Sequence, residues 1–183
     1  MRDPPWDASY EVCLAAVKRR GGPTLGEVLD EFKTSEVCLA VVKRHGWSLQ
    51  WVPMELRTPE LCLLAVTENG EALEMVPKDR VSPEMCLAAV HEWGHALVFV
   101  PPKHMSLEIC KAAVRCSSEI LLRVPDTYMI PEVFVAAVQQ DGYALHYVPK
   151  ELKTPEICLA AITQDPEAIR YSPYSILELV ALI

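Results

Sequence analysis

The sequence predicts an all-α fold, an α-solenoid of about seven 24-residue helix-turn-helix repeats, and three observations predict it. Close copies of Thr58-Pro59-Glu60-Leu61-Cys62-Leu63-Leu64-Ala65-Val66 recur, standing at Cys13, Cys38, Cys62, Cys86, Cys110, Phe134 and Cys158 when aligned on the cysteine. The first step is 25 residues and the other five are 24, which is the regularity of stacked repeats. Helix-start chemistry returns in phase with that period. One repeat-array domain over residues 1–183 is therefore expected, with repeats starting near 9, 34, 58, 82, 106, 130 and 154 and a C-terminal cap at 174–183.

Each repeat begins on a capping residue: Ser9, Thr34, Thr58, Ser82, Ser106, Ile130 and Thr154. A hydroxyl at this place accepts a hydrogen bond from a first-turn N–H that would otherwise lack a partner. Proline follows at Pro59, Pro83, Pro131 and Pro155, where its missing N–H costs nothing and its fixed φ suits the helix. Then come Glu11, Glu36, Glu60, Glu84, Glu108, Glu132 and Glu156, placed where the helix dipole favours negative charge. About six apolar residues succeed them, as in Met85-Cys86-Leu87-Ala88-Ala89-Val90, so these helices should lie between neighbours. Glycine stands next at Gly21, Gly46, Gly70, Gly94 and Gly142, replaced by Ser118 and Pro166, and is expected in a left-handed position ending the helix. A segment such as Ala144-Leu145-His146-Tyr147-Val148-Pro149 then predicts a helix of one or two turns, followed by a loop into the next cap.

Both ends depart from the pattern. The first repeat carries the insertion Gly21-Gly22-Pro23-Thr24-Leu25-Gly26, as terminal repeats do. The stretch Tyr174 to Ile183 has one charged residue and is open to three readings: a cap on repeat seven, a homodimer contact, or the edge of a longer array.

The formal charge of -8 opposes binding to a polyanion and favours a neutral or basic partner. Seven cysteines, six in one register, do not make a disulfide framework, and no segment has the length and apolarity of a signal peptide or membrane span. A soluble protein of a reducing, cytoplasmic compartment is expected, with no membrane partner and no cofactor.

The units T-P-E-x-C-L-A-A-V followed by A-L-x-x-V-P, best kept at 82–101 and 154–161, resemble a short helical repeat family catalogued as a domain of unknown function. The resemblance covers nearly the whole chain. It implies a stacked helical array used for binding, in a family occurring in bacterial proteins, including effectors delivered into host cells, and in large DNA viruses. It supplies no catalytic residue.

His91-Glu92-Trp93-Gly94-His95 spells H-E-x-x-H, which on a continuous helix would present His91 and His95 to one zinc with the glutamate as general base. Here Gly94 aligns with the glycines that end the other helices, and the third-histidine position is Pro101. A chance match is the expectation, and a zinc-dependent hydrolase stands as an alternative. Successive cysteines of the ladder would stand about 8–10 Å apart, too far for disulfides or a shared zinc, so they read as small buried side chains. Cys116 lies outside the ladder and should be the exposed thiol. The glutamate row reads as helix-end electrostatics, compatible with an edge that meets a basic partner.

Binding is expected where repeats differ. Couplets before the glycine are Arg19-Arg20, Arg44-His45, Glu68-Asn69, Glu92-Trp93, Cys116-Ser117, Gln140-Asp141 and Gln164-Asp165. Just after the glycine stand Trp47, Glu71, His95, Glu119, Tyr143 and Glu167, and four residues later Trp51, Met75, Phe99, Arg123, Tyr147 and Tyr171. Helical residues four apart share a face, so Trp47 with Trp51, His95 with Phe99, and Tyr143 with Tyr147 should pair. The row containing Trp51 reads as inter-repeat core and the row containing Trp47 as surface. The surface candidates are Trp47, Glu71, Trp93, His95, Glu119, Tyr143, Trp51, Phe99 and Tyr147. The expected function is non-enzymatic binding of a protein or peptide along one face, with an acidic inhibitor or immunity-type protein of a basic partner as a subtype. Nucleic-acid binding through Arg19, Arg20, Lys43 and Arg44 is a further alternative.

Overall fold

The computed structural model describes residues 10–19 and 22–181. The expected cap Ser9, Arg20, Gly21 and residues 182–183 of the C-terminal stretch lie outside the described residues. Among the described residues all regular structure is helical. One α-helix follows each cap: α1 Tyr10–Lys18, α2 Ser35–Val42, α3 Pro59–Glu68, α4 Pro83–Glu92, α5 Leu107–Cys116, α6 Pro131–Gln140 and α7 Pro155–Gln164. A short α8, Ile176–Val180, comes last. None of these is long and apolar enough to cross a membrane.

The helix starts form for the reasons their residues give. Thr34, Thr58, Ser82, Ser106 and Thr154 each accept, through the side-chain oxygen, the backbone N–H three residues on, at 3.2–3.5 Å. Each such cap stabilises its helix by about 1 kcal/mol. Ile130 makes none, and proline at the first helical position sets the start of α6 instead. The row of glutamates is exposed throughout. The Glu60 carboxyl is held below its usual range by its own backbone N–H and by Thr58, and that of Glu36 by hydrogen bonds from Lys18 and Tyr10.

The chain folds as two compact units, Met1–Glu92 and Trp93–Ile183. In the first, α1, α2, α3 and α4 pack in series, and in the second α5, α6 and α7 pack in the same way. A parallel row of six-residue 3₁₀ helices lies beside the α-helices of each unit: Gly46–Trp51 and Gly70–Met75 in the first, and Gly94–Phe99, Ser118–Arg123, Gly142–Tyr147 and Pro166–Tyr171 in the second. The core of each unit lies between its two rows. Ala65, Ala113, Ala137 and Ala161 of the α-helices face it at zero exposure, as do Leu49 and Leu145 of the 3₁₀ helices. Cys38, Cys62, Cys86, Cys110 and Cys158 are fully buried, and Phe134 fills the same position equally buried, so the ladder is a packing position.

Three features differ from the sequence reading. The second helix is 3₁₀, with three residues per turn, which turns the residues two and five before its closing valine outward and the leucine and valine inward. The loop into the next cap contains a further 3₁₀ turn in five repeats, at Asp30–Phe32, Met54–Leu56, Pro102–His104, Asp126–Tyr128 and Lys150–Leu152. The glycine is not left-handed. It opens the 3₁₀ helix, and it is small because the next repeat lies against it: a Cβ on Gly94 would come within 2.7 Å of the Ala113 carbonyl oxygen, and one on Gly142 within 2.6 Å of that of Ala161. The α-helix itself ends one residue earlier, on an extended residue such as Asn69 at φ -157°.

At the C-terminus a capping box between Ser175 and Glu178 starts α8. Leu179 is buried there, while Ile176 and Leu177 are exposed.

Candidate functional site

The couplets before the glycine, nominated for binding, are largely structural. In α4, α5 and α7 their first residue, at the end of the helix, reaches back one repeat to the N–H that opens the preceding 3₁₀ helix and has no partner within that helix. Glu92 Oε2 accepts from Gly70 N–H at 2.5 Å, Cys116 Sγ from Gly94 N–H at 3.2 Å, and Gln164 Oε1 from Gly142 N–H at 2.6 Å, each across 22 residues. The Gln164 amide also donates to the Gln140 carbonyl at 3.4 Å. Arg44, in the same register, donates instead to the carbonyls of Val17 and Arg19 at the end of α1. The second residue of the couplet caps its own 3₁₀ helix: Asn69, Asp141 and Asp165 accept from the N–H two residues on at 2.9–3.0 Å. Ser118, buried where glycine stands elsewhere, donates to Asp141 at 2.8 Å.

Basic side chains serve the same end. Arg57 donates to the carbonyls of Gln50, Val52 and Met75, and Lys153 to that of Tyr171, closing the 3₁₀ helix of the next repeat. Arg80 and Tyr128 occupy one register and each bond a carbonyl 23 residues back, of Arg57 and Met105. Of the groups named for nucleic acid, Arg44 is engaged in this way and Arg20 lies outside the described residues. Lys18 pairs with Glu36 at 2.9 Å.

What remains open is the outward face of the 3₁₀ helices. Trp47 and Trp51 are 39% and 38% exposed and Tyr143 is 42%, while Glu119 is exposed and Glu71, Trp93, His95, Phe99 and Tyr147 are half-buried. The row containing Trp51 does not form core: with three residues per turn, that place lies at the edge of the face. Residues three apart eclipse in a 3₁₀ helix, so Tyr143 stacks on His146 at 5.5 Å and 25°. Glu167 pairs with Arg170 in the same two positions.

The expected pair Tyr143 and Tyr147 is present edge-on at 5.7 Å. Tyr171 of the next repeat meets Tyr143 at 5.3 Å and His146 at 5.0 Å, making a four-ring cluster. The neighbouring Tyr171 and burial push the Tyr143 phenol above its usual range, with Glu119 contributing. His95 pairs differently from expectation. It stacks on Trp93 at 5.5 Å, and Trp93 tilts against Phe99 at 6.4 Å. Trp51 lies over Gly26, where a Cβ would touch the indole at 3.0 Å.

Sequence reasoning misses the outermost residues of this face. Val98 and Leu122 stand 51% and 68% exposed, in register with His146. Their signal is the position three after the post-glycine residue, which an α-helical period hides. Elsewhere in the second unit a groove of about 320 Å³ on α5, α6 and α7 is lined by Lys111, Arg115, Val135, Glu132 and Glu156, with both signs of charge.

The H-E-x-x-H stretch is divided. His91 lies in the last turn of α4, Trp93 is extended at φ -145°, and His95 belongs to the following 3₁₀ helix. Glu92, the general base in the hydrolase alternative, is bonded to Gly70 N–H. Among the described residues no three His, Cys, Asp or Glu side chains are grouped to hold a metal. The ladder thiols Cys38 and Cys110 are pushed up to about 11 by burial, away from thiolate chemistry, and Cys116 is the exposed thiol.

Helical repeats packed in series define a repeat protein of the α-solenoid class. Residues 34–79 and 131–177, just over half of the chain, match the family described as Domain of unknown function (DUF4116), and the chain belongs to that family. Each match spans two consecutive repeats. No curated protein and no solved structure matches the chain.

Proposed function

We propose that this protein is a non-enzymatic interaction module that binds a protein or peptide partner along the outward face of its 3₁₀ helices. The observation that carries this reading is the exposure of Val98, Leu122 and Tyr143 in successive repeats, next to aromatic rings packed against one another. Contiguous exposed apolar and aromatic side chains rimmed by polar groups are typical of interaction sites. The variable couplets before the glycine, by contrast, are engaged in joining repeats. Affinity capture from the native cell with the wild-type chain and with Leu122→Glu/Tyr143→Ala tests it. A partner retained by the wild type and lost by the variant is expected; equal retention by both overturns the reading.

A second reading, favoured by the row of exposed carboxylates at the α-helix starts, is that the partner is basic. Its binding would weaken steeply with salt. A partner held equally at low and high ionic strength rules that out.

A further inference from the structure

We infer that the groove on α5, α6 and α7 of the second unit is a separate binding site, which takes a short peptide of about three residues by its charged ends. The peptide's terminal ammonium meets Glu132 and Glu156, and its terminal carboxylate meets Lys111 and Arg115. This site lies on the α-helical row, apart from the 3₁₀ face, and does not depend on the reading above.

The placement of charge carries the inference. Lys111 and Arg115 both stand on α5, four residues apart and so on one face of that helix. Glu132 and Glu156 stand in the first turns of α6 and α7, at the same place in consecutive repeats. Among the described residues none of these four is in an ion pair; the pairs formed are Lys18 with Glu36, Lys33 with Asp30, and Arg170 with Glu167. Four charges that line one groove without pairing leave room between them for a guest that carries both signs. The groove follows α6 from Glu132 to Gln139, seven residues on, or about 10 Å of helix. In its flanking helices Glu156 occupies the register of Glu132, and Arg115 that of Gln139. The negative end therefore lies at the helix starts and the positive end about two turns later. Three residues of extended chain span about the same 10 Å.

Size and lining agree. A volume of about 320 Å³ is at the small end of ligand sites. Val135, half-buried, and Ala136, buried, lie along α6 between the charged ends and offer an apolar surface to the peptide's middle side chain. The planar fork of Arg115, with the Lys111 ammonium one turn away, suits a carboxylate. A phosphate or a nucleic acid would meet those two cations but be repelled by Glu132 and Glu156, and a polycation would meet the reverse. A ligand with one charge of each sign at its ends satisfies both walls.

The test uses the full chain and the tripeptide alanyl-leucyl-alanine in four forms: both ends free, N-acetylated, C-amidated and doubly blocked. Binding is read from backbone amide shifts in NMR titrations, with wild type, Lys111→Ala/Arg115→Ala and Glu132→Gln/Glu156→Gln, whose folding is checked by circular dichroism. The free peptide should shift amides of α5, α6 and α7, and blocking either end should weaken it about tenfold. The variants keep the inference falsifiable. Without its cations the groove should bind free and amidated peptides alike, and without its carboxylates it should bind free and acetylated peptides alike. Tyr143→Ala, on the 3₁₀ face, should leave every titration unchanged. Equal binding of the four forms, weakening by a variant that does not depend on which end is blocked, or no shift in these helices with any form overturns the inference. The 3₁₀ face is tested separately through Leu122→Glu/Tyr143→Ala, so either site can fail while the other stands.

Discussion

Replacing Gly142 with alanine places a methyl group 2.6 Å from the Ala161 carbonyl oxygen and 2.7 Å from the Asp165 Cβ. Ordinary contact begins near 3.4 Å, so the backbone of repeat seven must retreat by about 0.8 Å, and a helix carbonyl cannot swing aside as a side chain can. The same retreat stretches the 2.6 Å bond from Gly142 N–H to Gln164 beyond useful length. Overpacking costs about 1–3 kcal/mol and a weakened hydrogen bond about 1 kcal/mol more, for a combined loss of about 3 kcal/mol. Urea denaturation should show a midpoint lower by roughly 1 M. Asparagine separates this argument from the left-handed one. Asparagine tolerates left-handed backbone, so a conformational requirement makes Gly142→Asn milder than Gly142→Ala, whereas a steric requirement makes it at least as damaging. A milder asparagine, or an alanine within about 0.5 kcal/mol of wild type, refutes the close-approach account.

Gln164→Leu keeps the bulk of the side chain but removes both bonds to the preceding repeat, leaving the buried Gly142 N–H without its acceptor. A loss of about 1–3 kcal/mol in urea is expected, against under about 0.5 kcal/mol for Glu92→Gln, which retains an acceptor for Gly70. Of the seven cysteines, Cys116 alone should react rapidly with a thiol reagent in native protein, and the rest only after denaturation. Cys38 and Cys110 keep their protons up to about 11 when folded but release them near 9 when unfolded, so the folded state holds more protons between those values. Stability should therefore fall as pH rises through that window, measured by thermal melting, and fall less in Cys110→Ala. Purified chain should carry substoichiometric zinc, and His91→Ala should not change its metal content; stoichiometric zinc abolished by that substitution would favour the hydrolase alternative over the binding module.

The α-helix starts are legible in the sequence because their chemistry is local. A threonine, a proline and a glutamate within three residues determine the first turn whatever lies around it, and Thr58 and Thr154 behave as written. The 3₁₀ helices are harder to read. Six residues such as Gly-Tyr-Ala-Leu-His-Tyr fit two turns of either helix type, and the tight form follows from packing between consecutive α-helices. That one change of period moves the outward face from residues four apart to residues three apart, so Tyr143 is legible and His146 is not. Couplets such as Gln164-Asp165 look variable because hydrogen-bonding groups of different kinds do one task. Glutamate, cysteine and glutamine all accept the same N–H, and their partner sits 22 residues away, beyond any local pattern.

The bond from the end of α4, α5 and α7 back to the preceding glycine means that sequence repeat and mechanical unit are out of phase there. A chain divided at a cap residue, say before Ser106, leaves the Gly94 N–H without Cys116 and Gly94 itself without the Ala113 carbonyl that lies against it. Gly94–Phe99 is therefore completed by the α-helix that follows it. Insertions and duplications that respect the fold should have their seams after the α-helix, between Cys116 and Ser118 for example, where the latch to Gly94 is already closed on the side of the earlier repeat.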